Sequence, residues 1–326
     1  MQVLPAVIAG GAYASHAFAQ REGDDARAYP TRPVRIVIPF VPGSATDAMM
    51  RVLAPLLSEE LKQPFAVENV SGAGGVTGSV RVARSAPDGY TLLAASAGPV
   101  SVNPYIYDKL PYDPTRDFVP ITTVGDSPMV VAVSRSGPFS SLSELVAAAK
   151  AKPGALTYGS GGGGSAAHIA AEIFKWKTGT DFLHVPYKGV GAAVPDLVAG
   201  RLDAMFVSYP PVRPMSDAGY LRILAVAAAQ RSSLVPGVPT AAEAGVKDYA
   251  LSTWSGLMAP AGTPRAILDR LNTVTTQILR DPDLARRLAG LGMEPIPSSQ
   301  EEFAARLRDE FNTMGQLVKS VKIRPD

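Results

Sequence analysis

The chain has 326 residues, with 30 Gly, 29 Pro, no Cys and a formal net charge of +2. Its length and 46% hydrophobic content supply a large core divided over about two domains and exclude general disorder. The absence of cysteine excludes disulfides, zinc knuckles, iron-sulfur clusters and thiol nucleophiles. No Lys/Arg run exceeds Arg286-Arg287, so nothing resembles a phosphate-tracking basic stripe and nucleic acid is not an expected partner.

The first segment reads as a leader. An apolar run from Val3 to Tyr13 precedes Ala17-Phe18-Ala19, the small-x-small pattern of a signal-peptide cleavage site, and predicts cutting after Ala19. The run is too short and Gly-rich for a membrane-spanning helix. No Lys or Arg precedes Arg21, although signal peptides open on a basic residue, so translation is expected to start upstream of Met1. Export accords with a cysteine-free composition.

Beyond the leader, strand and helix patterns alternate. Val34 to Ile38 reads as a strand buried on both faces, ended by Pro39 to Ser44. Helical spacing starts at Thr46 through Met49, Leu53, Leu56 and Leu57, with Pro55 expected to kink the helix or lie where a lost hydrogen bond is tolerated. Further strands are predicted at 65–69, 91–96, 129–134, 156–159, 204–207, 223–227 and 256–259. Further helices are predicted at 76–85, 142–150, 166–177, 191–199, 264–279, 282–291 and 299–319. This alternation predicts an α/β fold with mainly parallel sheets flanked by helices, containing too many strands for one small sheet.

Three Gly- and hydroxyl-rich loops share one position: Pro42 to Asp47, Ser71 to Gly78 and Gly159 to Ser165. Each follows a predicted strand and opens a predicted helix. In open α/β sheets ligands bind there, where unpaired N–H groups and helix dipoles favour an anion. Nucleotide motifs fail letter by letter: Ser165-Ala166 stands where a P-loop needs Lys-Ser/Thr, and Thr77 where a dinucleotide fingerprint needs Gly. A nucleophile elbow fails too, because Tyr158 precedes Ser160 by two places and Ala167 follows Ser165 by two. Past the leader only His168 and His184 could act as general base, and His184 lies in an extended apolar context that favours a core role. His168 and Glu172 would share a helix face but lack a third metal ligand. Neither metal nor cofactor is expected, and catalysis is not expected.

Seven motifs occur in order: Pro39 to Asp47; Val67-Glu68-Asn69 with Gly72 to Gly75; Pro87 to Leu92; Tyr158-Gly159-Ser160 with Gly164 to His168; His184 to Gly189; Pro239 to Gly245; and Ala259 to Pro264. Together they resemble the Bug-type extracytoplasmic solute-binding proteins, receptors of tripartite tricarboxylate transporters. The resemblance covers nearly all of the chain after the leader. Ser44 stands where the family usually has a second Gly, and Val70-Ser71 where it usually has a basic residue and Pro.

The resemblance implies a two-lobed, type II-like Venus flytrap acting as a monomeric periplasmic receptor. Lobe 1 would comprise 30–128 plus 257–326 and lobe 2 would comprise 129–256, with crossings near 129–134 and 252–258. The solute would be a small organic carboxylate, namely a dicarboxylate, tricarboxylate, acidic amino acid or aromatic acid, delivered to membrane permease subunits. Its candidate contacts are Phe40 as an apolar wall; Gly43, Ser44, Ala45 and Thr46 as N–H or hydroxyl donors; and Asp47 as a helix cap or an ammonium partner. Ser96, Ser160, Gly161, Gly164, Ser165, His168 and Ser208 complete the donors, with Tyr187 and Asp203 lining the second lobe. A ligand-sensing input to a signalling protein, or a secreted serine hydrolase using Ser165, would be the alternatives.

Overall fold

The computed structural model describes residues 28–321. The leader and its cleavage site lie outside the described residues. Strands β1 (Val34–Ile38), β2 (Phe65–Asn69) and β3 (Thr91–Ser96) run parallel, β1 lying between the other two. β4 (Phe118–Ser134) is long enough to serve two sheets. Its first part pairs antiparallel with β9 (Ser252–Pro260), which also pairs with β3. From Met129 onward it lies between β7 (Ala204–Ser208) and β8 (Leu221–Val226), antiparallel to both. β5 (Thr157–Ser160) joins β7 to β6 (Leu183–Pro186) in parallel. A two-residue β10 (Glu294–Pro295) edges β4. In the first sheet β9 and the short β10 are therefore reversed relative to β1, β2, β3 and β4, and in the second only β4 is reversed.

Helices α1 (Ala45–Leu61), α2 (Val76–Ala83), α8 (Arg265–Leu279), α9 (Pro282–Ala289) and α10 (Gln300–Val321) serve the first sheet. The second carries α4 (Leu142–Ala151), α5 (Ala166–Thr178), α6 (Val190–Val198) and α7 (Tyr209–Asp217). The short α3 (Asn103–Ile106) follows a π-helical turn at Gly98–Val102.

The period-2 alternation of strand side chains divides the core into layers. Ile36 and Ile38 pack with Leu53, Leu57, Leu92 and Leu271 on one face of β1, while Val37 packs with Leu93, Trp254, Met258 and Phe303 on the other. In the second sheet Val131, Val133 and Phe206 face Phe174 and Phe182, and Val130, Met205 and Val207 face Leu197 and Val212. Both sheets are thus covered on both faces, which is why their strands read as nearly continuous apolar runs.

Pro55 stays inside α1 without ending it. It and Arg51, whose carbonyl loses a donor, are both exposed, so water replaces the missing bond. The first half of β4, which the sequence reading left unassigned, contains two register shifts against β9, at Ile121 between Pro120 and Thr122 and at Val124 between Thr123 and Gly125. Helix α7 (YPPVRPMSD) was not among the predicted helices. Pro210 and Pro211 occupy its first turn, where backbone N–H groups have no intrahelical acceptor.

The ring of Phe206 touches Phe174, Phe182 and Tyr158 with centroids 4.7, 5.7 and 6.1 Å away. Phe206→Ala is expected to lower stability by about 3–5 kcal/mol, measured as a fall in the urea midpoint with an unchanged slope.

Candidate functional site

The parallel strands of both sheets end at one cavity of about 470 Å³. The loops after β1, β2 and β3 supply Phe40, Ser44, Ala45, Thr46, Gly74 and Ser96, and those after β5, β6 and β7 supply Gly161, Ser165, Tyr187, Lys188 and Ser208. Among the described residues, Lys188 is the one charged side chain in this lining.

Two helix N-termini meet the cavity from different sheets. At α1, Ser44 is the cap: its Oγ accepts from Asp47 N at 3.1 Å and its carbonyl accepts from Ala48 N at 3.0 Å. At α5, Ser165 repeats the arrangement with His168 N at 3.4 Å and Ile169 N at 3.0 Å. Each cap leaves the first two helical N–H groups, those of Ala45 and Thr46 and those of Ala166 and Ala167, without an intrahelical acceptor at the cavity wall. With the helix dipoles behind them, these donors suit an anion.

Each capping serine already accepts one helix N–H on its hydroxyl oxygen, whereas Ser208 accepts none from its helix. It caps α7, but Pro210 and Pro211 stand at the positions whose N–H groups a capping hydroxyl would accept, and its side chain makes no cap bond. Ser208 lines the cavity with no helix N–H on its hydroxyl. Thr46 Oγ1 instead pairs with Ser255 Oγ on β9 at 3.0 Å, so that residue contributes backbone rather than hydroxyl.

Several candidate residues support the loops rather than line the cavity. Asp47 Oδ2 accepts from Gly43 N at 3.1 Å and Arg51 Nε at 3.0 Å, and its Oδ1 accepts from Asn69 Nδ2 at 3.0 Å. It fastens the β1–α1 loop to α1 and β2. Gly43 takes φ +98°, which favours glycine, while Ser44 has φ −79° and ψ 161°, ordinary for any L residue. A serine therefore fits there without backbone strain.

Behind the α5 loop, Ser160 Oγ lies 2.6 Å from His184 Nε2 and accepts from Gly162 N at 3.0 Å. His184 is sandwiched between the rings of His168 and Tyr158, with centroids 4.4 and 4.9 Å away. His168 Nδ1 accepts from Gly164 N at 3.1 Å, which assigns the proton of a neutral ring to Nε2. Ser160, His168 and His184 thus brace the glycine loop from beneath, with Ser160 buried and outside the lining. Asp203 lies at the opposite end of the sheet, before β7, where its carboxylate accepts from Thr157 N at 2.7 Å and Thr157 Oγ1 at 2.9 Å. It joins β7 to β5, because position 203 precedes the strand whose far end meets the cavity.

Sequence reasoning passed over Tyr107, Lys188, Val190 and Thr253, which line the cavity. Lys188 and Val190 carried a signal, since they follow β6 just as the chosen loops follow β1 and β5. Tyr107 and Thr253 reach the site only through tertiary packing.

Residues 49–323 match the family described as "Tripartite tricarboxylate transporter family receptor". The chain belongs to this family. It is 37% identical over 292 residues to the Bordetella pertussis protein BugT, a match covering 89% of this chain and 90% of that one. Among solved structures, R. palustris Rpa4515 with adipate superposes with a TM-score of 0.88 at 34% identity, covering 91% of this chain and all (100%) of that one. MatC from Rhodopseudomonas palustris with bound malate gives 0.84 at 31% identity, covering 89% and 100%. This family member is a two-lobed extracytoplasmic solute-binding receptor.

Burial alone would raise the Asp47 pKa, but hydrogen bonds from Arg51, Asn69 and Gly43 N outweigh it and hold the carboxyl below its ordinary value. Its contribution to stability is therefore full above the unfolded value of about 3.9 and is lost as pH falls through the lower native value. Asp47→Asn should be less stable than wild type by about 1–2 kcal/mol at pH 6, with the gap closing in acid. Urea titrations at pH 6 and pH 3 check this, and a gap equal at both would remove the carboxylate from that role.

His168→Phe keeps a ring in the stack but removes the acceptor of Gly164 N. Amide exchange at Gly164, read by NMR, is expected to accelerate about tenfold or more while exchange in β1 is unchanged.

Proposed function

We propose that the chain captures a small carboxylate-bearing solute non-covalently between its lobes and presents the closed complex to a membrane permease. The observation that carries this reading is the convergence of two unsatisfied helix N-termini, α1 and α5, from separate sheets on one 470 Å³ cavity. An anion held by both ends stabilises the arrangement in which the ends are close, and so shifts the population toward closure. The adipate and malate of the two related structures fit the same chemistry. Export by a leader cut after Ala19, a periplasmic location and action as a monomer complete the reading.

The lobes are taken as 30–128 plus 257–326 and 129–256, with the start of β9 at 252–256 moved to the first lobe because it pairs with the first half of β4. Their hinge lies where β4 leaves β9 for β7, near Asp126 to Met129, and where β9 begins, near Thr253 and Trp254. Loops of the two halves touch over the cavity: a Cβ on Gly74 would lie 2.7 Å from the Gly163 carbonyl oxygen, and Gly74 has φ +59°. Gly74→Ala would therefore hold the lobes apart.

Refolded, solute-free protein should show ligand stabilisation of about 2.7 kcal/mol at a hundredfold excess over Kd in a melting screen of aliphatic and aromatic carboxylates. Emission of Trp254, isolated by Trp176→Phe, should change with the same ligand, and Gly74→Ala should weaken binding by about tenfold or more. Absence of both a melting shift and an emission change across the screen would overturn the proposal.

A further inference from the structure

Among the described residues, the apolar cores of the two halves are separate with one exception. In the cluster that holds Val131, Phe174 and Phe206, every buried member lies between Met129 and Tyr249 except Val102 and Ile106. Both come from the first half. They sit in the segment after β3, where the π-helical turn at Gly98–Val102 runs into α3. Ile106 reaches the glycine loop of the second half: a Cβ on Gly164 would lie 2.8 Å from Ile106 Cδ1. Met314, on α10, packs against the same cluster, and Tyr105 ties α3 to α10 by donating its Oη to the Phe311 carbonyl at 2.9 Å.

The segment is nevertheless anchored to the first half. Val100, two places before Val102, is buried with Val37 and Leu93. Tyr112 Oη donates to the Pro99 carbonyl at 2.5 Å, and Asn103 Nδ2 donates to the Gly74 carbonyl at 3.1 Å. A segment fixed on one side and inserted on the other is withdrawn when the halves part. Opening the cleft therefore exposes Val102 and Ile106 together with the apolar surface they cover, and such surface resists transfer to water. Neither side chain lines the cavity, so this resistance does not depend on which solute is inside.

Resting on the receptor function proposed above, we infer that Val102 and Ile106 form an apolar clasp between the lobes, which holds part of the empty protein closed and strengthens the binding of every solute by one common factor. The observed affinity is the intrinsic affinity multiplied by the fraction of empty protein already in the competent form, and the clasp sets that fraction. Contacts inside the cavity decide which solutes bind; the clasp decides how tightly the whole set is held.

The test compares wild type with Ile106→Val, which removes the methyl that meets Gly164, and with Ile106→Ala. Adipate, malate, citrate and 3-phenylpropanoate are titrated calorimetrically into refolded, solute-free protein, and small-angle scattering is recorded on the same protein without solute. Each measurable dissociation constant should rise by about threefold in Ile106→Val and about tenfold or more in Ile106→Ala. The ratios between solutes should stay unchanged, and the radius of gyration of the empty protein should grow in the same order. Leu145→Ala weakens the same core from α4; it should melt lower yet bind as wild type does, which separates the clasp from a general loss of stability. Unchanged dissociation constants or an unchanged radius in Ile106→Ala protein that melts cooperatively would overturn the inference. So would weakening confined to one solute among several that bind, or equal weakening in Leu145→Ala. If none of the four binds wild type, scattering alone decides: a radius that grows in Ile106→Ala supports the clasp and a fixed one overturns it, while the receptor reading stands or falls separately on the broader carboxylate screen.

Discussion

The antiparallel ladder between β4 and β9 is the constraint on which the remaining architecture depends. β4 is paired with β9 from Phe118 to Pro128 and then, without interruption, with β7 and β8 from Met129 to Ser134. One continuous strand therefore belongs to two sheets. Because it is reversed relative to its neighbours in the second sheet, the parallel strands there point back toward the first, and the carboxyl ends of both sets meet. The ladder is also narrow enough to bend: register shifts at Pro120/Thr122 and Thr123/Gly125 relieve it within the first sheet, leaving the stretch at Asp126 to Met129 as the passage between sheets.

From that geometry the chemistry of the cavity follows. An anion could be bound by an arginine clamp, but here the donors are backbone groups at helix starts, whose dipoles and fixed directions cost little entropy to organise. The side chains around them divide the work. Ser44 and Ser165 end the helices, Asp47 and His168 hold the two loops from behind, and Ser208 is spared from capping by the prolines that follow it. The second half adds a column of stacked rings, Tyr158, His184 and His168, beneath its glycine loop. A glycine-rich loop alone would be loose; tied to a ring nitrogen and to Ser160 it becomes a rigid surface.

Much of this was legible along the chain. The buried strands of both sheets appear as apolar runs because both faces are covered, and the helices between them appear through their apolar spacing and caps. The position of the site was legible as well, since glycine clusters followed three predicted strands. What escaped reading did so for identifiable reasons. Tyr209 to Asp217 was left without an element, yet Pro210 and Pro211 fall in a first helical turn, where a missing N–H has no bond to lose. The first half of β4 went unassigned, and its pairing with β9 is interrupted at Ile121 and Val124. Asp203 was placed in the second-lobe lining under the resemblance, while its position before β7 puts it at the far edge, bonded to Thr157.

Sequence by itself determined the class of structure and the chemical character of the site: alternating elements, a cysteine-free and nearly neutral composition, and loops rich in glycine and hydroxyls at strand ends. These are local properties, set by periodicity, backbone freedom and capping, and local properties are written in consecutive residues. Tertiary structure alone decided which candidates are wall and which are support. Asp47, Ser160 and His168 stand beside lining residues in sequence yet turn their polar atoms into the loop, and Tyr107 and Thr253 join the lining from distant segments. Side-chain direction and the meeting of remote segments depend on how two sheets share one strand, and that is fixed only when the whole chain is packed.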